Sequence, residues 1–173
     1  MNSNITCKSC KDFECCKDIG FPFVLTEAEL LKIEKWTGIT INNFATKVEF
    51  NCKYLWFLRR NEMGHCFFFD EKAPCYKKCK IYPIRPLDCR LFPLDVDLRN
   101  GDFILIKYNF CHGSDGPLEN QVFNAKKRIL PSLKKELYEY AKLMTDLFDA
   151  GNWDDIEILD PLKYRIAISE NMK

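Results

Sequence analysis

The chain has 173 residues, of which 47% are apolar, and it carries a formal net charge of +1. This length predicts a single domain, residues 1–173, and the apolar fraction is enough for a hydrophobic core that needs no cross-links to fold. The near-zero net charge argues against a general attraction to nucleic acid or to an anionic membrane. We therefore expect neither as a partner, while a protein partner stays open.

The cysteine content and the absence of membrane signals together narrow the class of protein. No stretch approaches the roughly 18 apolar residues of a membrane span, and the first residues lack the apolar core of an export signal. We expect a cytoplasmic protein. Its ten cysteines would then lie in a reducing compartment, where disulfides are rare, so their number needs another explanation.

The first predicted elements are a loop and a helix. Residues 1–20 are polar and dense in cysteine with no hydrophobic period, which predicts a loop shaped by what it binds. Thr26 and Glu29 fit a capping box, and Gly38 supplies a stop signal. These signals predict a helix over residues 27–36.

The next segment predicts a short helix and a hairpin. A second, shorter helix is expected to begin near Asn42 or Asn43 and to carry Phe44 and Val48. The aromatic runs at residues 54–58 and 65–69 are separated by a polar segment that contains glycine. This pattern is typical of two strands joined by a turn.

A second hairpin and a helical region complete the chain. Residues 94–98 and 103–106 are apolar runs joined around an Asn-Gly pair, which favours a tight turn. Pro86 is well placed to begin a short helix. Residues 118–150 have a helical apolar period, and Pro131 is expected to kink or split that helix.

These elements predict an α+β fold in which small antiparallel hairpins and short helices surround a cysteine-ligated metal site. Within the single domain, residues 1–93 form a cysteine-cluster module. Residues 94–117 form the second hairpin and a loop, and residues 118–173 form a helical C-terminal part.

The cysteines fall into two groups with metal-ligand spacing. The first group is Cys7, Cys10, Cys15 and Cys16, and the second is Cys66, Cys75, Cys79 and Cys89. A C-x2-C spacing, such as that of Cys7 and Cys10, brings two thiolates to one metal ion. Adjacent side chains of an extended backbone point to opposite sides, so Cys15 and Cys16 are awkward ligands for the same ion. Either one of the pair packs, or the pair connects two centres. Cys52 and Cys111 are expected to be small buried residues.

The spacing resembles a known family. Cys7-x2-Cys10-x4-Cys15-Cys16, Gly64-His65-Cys66-Phe67-Phe68 and the segment CKIYPIRPLDCRLFP from Cys79 to Pro93 are similar to the CxxCxxCC-type, YkgJ-like cysteine-cluster proteins. That family is described as zinc- or iron-chelating. The resemblance implies ligand roles for every cysteine of the two groups except Cys75. We keep Cys75 as a further candidate ligand, although its spacing departs from the family pattern, as does the longer gap before Cys15.

The resemblance also bears on the metal. A related cysteine module in the flagellin lysine methylase is understood to hold an iron–sulfur cluster, which implies a [4Fe–4S] cluster slightly ahead of Zn²⁺. Four thiolates leave either centre with a net charge of about −2. Residues 52–90 carry nine Lys or Arg against four Asp or Glu, so cations are available to offset that charge. Arg85 and Arg90 are the candidate cofactor-binding residues, and a structural role for both is an equal alternative.

The expected function is metal binding with a sensing, metal-handling or electron-transfer role. Two alternatives stay open: a zinc-stapled structural or interaction module, and an accessory or catalytic module in protein modification such as lysine methylation. No Ser/His/Asp triad, phosphate loop or paired carboxylates stand out in the sequence. Catalytic residues are therefore unassigned, and whether the chain is an enzyme stays open.

Overall fold

The computed structural model confirms the α+β prediction with short helices and two small antiparallel sheets. The structure describes residues 14–17, 23–50, 52–74, 77–92, 94–99, 102–108, 134–150, 156–158 and 166–167. Two compact units divide the chain: Met1–Pro86 with Cys111–Gly116, and Leu87–Phe110 with Pro117–Lys173. The expectation of one domain stays a prediction. Among the described residues, no helix combines the length and the apolar character that crossing a bilayer requires.

The first unit is built around a three-stranded antiparallel sheet in the order β1-β3-β2. Its elements in chain order are α1 (Glu14–Lys17), β1 (Val24–Leu25), α2 (Glu27–Thr37), α3 (Ile41–Phe44), β2 (Ala45–Phe50), β3 (Lys53–Leu58) and a 3₁₀ turn at Tyr82–Ile84. The described part of the predicted N-terminal loop thus contains one helical turn, α1.

The predicted helix over residues 27–36 is confirmed as α2, because both of its end signals operate. The Thr26 hydroxyl accepts the Glu29 N–H, and the Glu29 carboxylate accepts the Thr26 N–H at 2.9 Å. At the other end Gly38 adopts a left-handed φ of 70°, and its N–H donates to the Glu34 carbonyl oxygen at 2.8 Å. Both contacts satisfy main-chain groups that a helix end leaves without partners.

Two predictions about the next segment are wrong. Helix α3 ends at Phe44, and Val48 lies in β2, opposite Leu55 of β3. The hairpin partner of residues 54–58 is therefore β2. Residues 65–69 form turns instead, with isolated bridges from Cys66 to Arg60 and from Phe69 to Cys79. The physical reason is the two-residue connection between β2 and β3, which contains Cys52 at a φ of 60° and closes a tight hairpin locally.

The second unit contains the second predicted hairpin. Its elements are α4 (Leu87–Leu91), β4 (Leu94–Arg99), β5 (Asp102–Tyr108), α5 (Lys134–Ala150), β6 (Ile156–Ile158) and β7 (Ile166–Ala167). Strand β5 pairs with β4, β6 and β7, all antiparallel. The hairpin and the short helix after Pro86 are confirmed. The C-terminal helix is confirmed over 134–150, and the rest of that prediction, including Pro131, lies outside the described residues.

Helix α5 packs on β4 through buried carboxylates. The Tyr140 hydroxyl donates to Asp95 at 2.8 Å, and both residues are 0% exposed. One helical turn further, the Thr145 hydroxyl lies 2.6 Å from Asp97, which also accepts from Arg99. Buried carboxylates are costly unless they are hydrogen-bonded, so these contacts fix how α5 lies on the hairpin.

Replacing Tyr140 with Phe tests this packing. The change removes a donor from a carboxylate that has no access to water, and it should lower the free energy of unfolding by about 1–3 kcal/mol. Urea denaturation measures the effect. Tyr138→Phe, on the same helix but half-buried, is the control and should change stability by less than about 0.5 kcal/mol. Equal stability of the two variants would contradict the role given to the Tyr140–Asp95 contact.

Candidate metal centre

The vicinal cysteines lie in helical, not extended, backbone. Cys15 and Cys16 both belong to α1, are half-buried, and have sulfur atoms 3.9 Å apart. Two thiolates on one tetrahedral ion with bonds of about 2.3 Å are separated by about 3.8 Å. The extended backbone assumed for this pair is therefore wrong, and the sulfur–sulfur distance is compatible with a single ion. How many of the two cysteines bind metal stays a prediction.

Cys66 is presented by a tight turn that begins at Arg60. The two residues face each other in an antiparallel bridge. Between them, the Asn61 side-chain oxygen accepts two N–H groups of the turn at 3.0 Å each. Gly64 has a left-handed φ of 78°, and a Cβ there would lie 3.8 Å from the Lys17 carbonyl oxygen. The Asn61 side chain thus stabilises the turn, and Gly64 lies close to the end of α1.

Main-chain contacts join this turn to α1. The Cys66 N–H donates to the Cys16 carbonyl oxygen at 2.6 Å. The Arg60 guanidinium donates to the Gly64 carbonyl oxygen at 2.7 Å and lies 3.5 Å from that of Lys17, a long contact. Two predicted ligand segments that are about fifty residues apart in sequence are therefore brought together.

The thiol of Cys66 lies in an environment that strongly favours its neutral form. The residue is 8% exposed, and burial is the main reason that its pKa rises to about 12. The Phe68 N–H, which donates to the sulfur, and the charge of Arg60 lower the pKa. Electrostatic interaction with Cys79 and Cys15 adds a smaller rise in the pKa.

The turn that carries Cys66 is anchored in the core of the first unit. Phe68 is 2% exposed, and its ring centroid lies 5.5 Å from that of Phe44 and 5.0 Å from that of Phe67. A side chain buried in this way fixes the main chain beside it, so the Phe68 N–H is held in place for the sulfur.

Cys79 is presented in the same manner by a second turn. It bridges Phe69, and its sulfur accepts the N–H of Ile81, again two residues after the cysteine. Burial raises the pKa of Cys79 and negative charge at Cys15 adds to the rise, while the Ile81 N–H and the Arg85 guanidinium lower it. Each of the two cysteines thus has one main-chain N–H donor and one arginine that lower its pKa, and both interact with Cys15.

The two cysteine turns are also tied to each other. The Lys80 N–H donates to the Phe68 carbonyl oxygen at 3.0 Å, and the Asp70 N–H donates to the Lys78 carbonyl oxygen at 2.8 Å. Both bonds join the segment after Cys66 to a residue next to Cys79: the first to the residue after it and the second to the residue before it. The relative position of the two sulfurs is therefore set by the main chain.

Arg85 is held beside Cys79 by its neighbours. Its guanidinium carbon lies 4.1 Å from the centroid of the Tyr82 ring, a cation–π contact. The following Pro86 restricts Arg85 to extended backbone, and its ψ is 144°. The charge of Arg85 thus acts on Cys79, and its predicted role in binding a cofactor stays a prediction.

The remaining predicted ligands are not all placed. Cys89 and Arg90 lie on α4 in the second unit, where Arg90 donates to Glu136 at 3.1 Å, a structural contact of the kind left open from the sequence. The other predicted ligands, Cys7, Cys10 and Cys75, lie outside the described residues.

Cys52 and Cys111 are the two cysteines that were not expected to bind metal. Cys52 was expected to be buried but is exposed in the β2–β3 turn, so that prediction is wrong. Cys111 lies outside the described residues. Arg60 was missed, because a polar residue before a predicted turn carries no signal of a role at the site.

The described donors fit a thiolate-bound metal but do not complete its coordination. Within the described ranges, no three His, Cys, Asp or Glu side chains are close enough together to hold one ion. The chemistry of the donor set nevertheless suits zinc or iron, since the sulfurs have N–H donors and cations beside them. Cys7 and Cys10 are the candidates to complete it.

Comparison with known proteins agrees with this chemistry. The sequence profile of the CxxCxxCC family, described as a "Putative zinc- or iron-chelating domain", matches residues 6–112. An uncharacterized protein of Methanocaldococcus jannaschii is 40% identical over 77 residues, which cover 40% of this chain and 41% of that relative. No solved structure matches the chain.

The order in which the cysteines are alkylated tests the geometry of the site. In reduced, metal-free protein at pH 8, iodoacetamide should modify exposed Cys52 early and Cys66 last. The thiolate is the reactive form, and a pKa of about 12 leaves roughly one Cys66 in ten thousand ionised. Mass spectrometry of peptides gives each rate, and urea should remove the difference. Equal rates in the folded protein would contradict the burial of Cys66.

Proposed function

We propose, since the chain belongs to the CxxCxxCC family, that its metal-binding cysteines hold an iron–sulfur cluster used for electron transfer, sensing or metal handling. The observation that carries this proposal is the matched pair of cysteine turns. Each sulfur accepts a main-chain N–H, and each is offset by one arginine, Arg60 for Cys66 and Arg85 for Cys79.

The ligands of the proposed centre would be Cys15, Cys66 and Cys79 from the described residues, together with Cys7 or Cys10. A bound cluster would supply reversible one-electron chemistry. The protein's own contribution is to hold thiolates in a poorly hydrated place and to stabilise their charge. N–H donors and cations near the sulfurs are the groups that set the potential of such a centre.

A zinc-stapled module is the second candidate, and one distance favours it. The 3.9 Å between the sulfurs of Cys15 and Cys16 suits two thiolates on a single ion. In a [4Fe–4S] cluster each cysteine binds a different iron, so this close pair would contribute one ligand only. Zinc would then serve to fold residues 14–17 onto the Cys66 turn.

Metal and sulfide analysis of protein purified without oxygen separates the two candidates. The cluster predicts iron and acid-labile sulfide in equal amounts and a brown visible spectrum. Cys66→Ser and Cys79→Ser should lose most of the metal, and Cys52→Ser, the exposed control, should keep it. A colourless protein with stoichiometric zinc and no sulfide would rule out the cluster. Undiminished metal in both serine variants would contradict the site itself.

Metal binding should also release protons. The thiols of Cys66 and Cys79 have a raised pKa, so at pH 7 both are protonated and an incoming ion must displace at least these two protons. Affinity should therefore rise with pH, by at least about a hundredfold per unit, because two or more protons are displaced. Calorimetry of Zn²⁺ binding in buffers of different ionisation enthalpy counts the protons. A count near zero would show that these thiols do not ligate.

A further inference from the structure

We infer that Arg60 is a positioning residue of the metal centre: its guanidinium holds the helix that carries Cys15 and Cys16 against the turn that carries Cys66. This role rests on the proposed metal centre for its purpose. Its geometry stands independently, on contacts that are made within the first unit.

The guanidinium of Arg60 reaches two carbonyl oxygens on different segments. One nitrogen, Nη1, donates to Gly64 at 2.7 Å and lies 3.5 Å from the carbonyl oxygen of Lys17. The main chain of Arg60 meanwhile bridges Cys66. One residue therefore contacts Cys66 and Gly64 of the turn and Lys17 at the end of α1.

Helix α1 needs such contacts because it is too short to be stable alone. It has four residues, and the last carbonyls of any helix lack intrahelical donors. Two donors reach this end from the turn: the Cys66 N–H, which bonds to Cys16, and the Arg60 guanidinium beside Lys17. The first contact is short, at 2.6 Å, and the second adds charge to a helix C-terminus, where a cation is favourable.

The neighbouring arginine provides a matched control. Arg59 points its guanidinium at the sheet, where Nε donates to the Ala45 carbonyl oxygen at 3.1 Å and to the Thr46 hydroxyl at 2.9 Å. The two arginines are adjacent and carry the same charge, yet they join different segments. An effect of lost charge or of lower general stability should appear in variants of both arginines. Displacement of the cysteines should appear only in variants of Arg60.

The first measurement is the affinity for Zn²⁺ of Arg60→Gln, Arg59→Gln and Arg60→Lys. Loss of an outer group that positions ligands typically weakens metal binding about ten- to hundredfold, and Arg60→Gln should show this loss. Arg59→Gln should bind like the wild type. Arg60→Lys should recover part of the loss, since its ammonium group keeps the charge and can donate to a carbonyl oxygen but lacks the planar shape and the position of the guanidinium. Replacing Zn²⁺ with Co²⁺ should show a weaker thiolate charge-transfer band in Arg60→Gln.

The second measurement needs no metal and keeps the inference separate from the proposed function. Hydrogen exchange at the Cys66 amide reports its bond to Cys16 in metal-free protein. Exchange should be about tenfold faster in Arg60→Gln than in the wild type, and unchanged in Arg59→Gln.

The outcomes are distinguishable. If the wild type binds neither Zn²⁺ nor iron, the proposed function fails, and the Cys66 amide still decides whether Arg60 holds the two segments together. If Arg60→Gln keeps both wild-type affinity and wild-type exchange, the positioning role is overturned. Equal losses in Arg60→Gln and Arg59→Gln would also overturn it, because they would report a general loss of stability.

Discussion

The contact between a cysteine sulfur and the main-chain N–H two residues later is the interaction on which the candidate metal centre depends. Phe68 makes this contact to Cys66, and Ile81 makes it to Cys79. Each donor is fixed because its own side chain is buried, at 2% exposure in both cases. Phe68 and Ile81 thus contribute more than packing to the hydrophobic core. Their burial also fixes the N–H groups that stabilise a thiolate.

This arrangement leaves the metal-free protein with an electrostatic conflict. N–H donors and arginines favour the charged form of each sulfur, but burial outweighs them and keeps the thiols protonated. A bound cation reverses the balance, because it neutralises the sulfur charge within the same poorly hydrated place. Membership of a zinc- or iron-chelating family, and a set of sulfurs that include the adjacent pair in α1, agree with that account.

Much of the fold follows from local signals, and the failures have physical causes. The capping box at Thr26 and the second hairpin depend on neighbouring residues, so the sequence predicts them well. Residues 65–69 have high strand propensity, yet the Gly64 turn and the contacts of Cys66 hold them in turns. Tertiary contacts also decide the helical state of α1 and the role of Arg60, and these involve residues far apart in sequence. Candidate ligands can be proposed from cysteine spacing, whereas the groups that support them cannot.

X-ray absorption at the metal edge of the protein, purified without oxygen, tests the central claim most directly. The account predicts a first shell of about four sulfur atoms at about 2.3 Å for either metal. Around zinc all four would be cysteine sulfurs, and around each iron of a cluster three would be sulfide and one a cysteine sulfur. A second shell of iron at short distance would identify a cluster, and its absence around zinc would identify a single ion. A first shell made mainly of nitrogen or oxygen would contradict the assignment of these cysteines as the ligands.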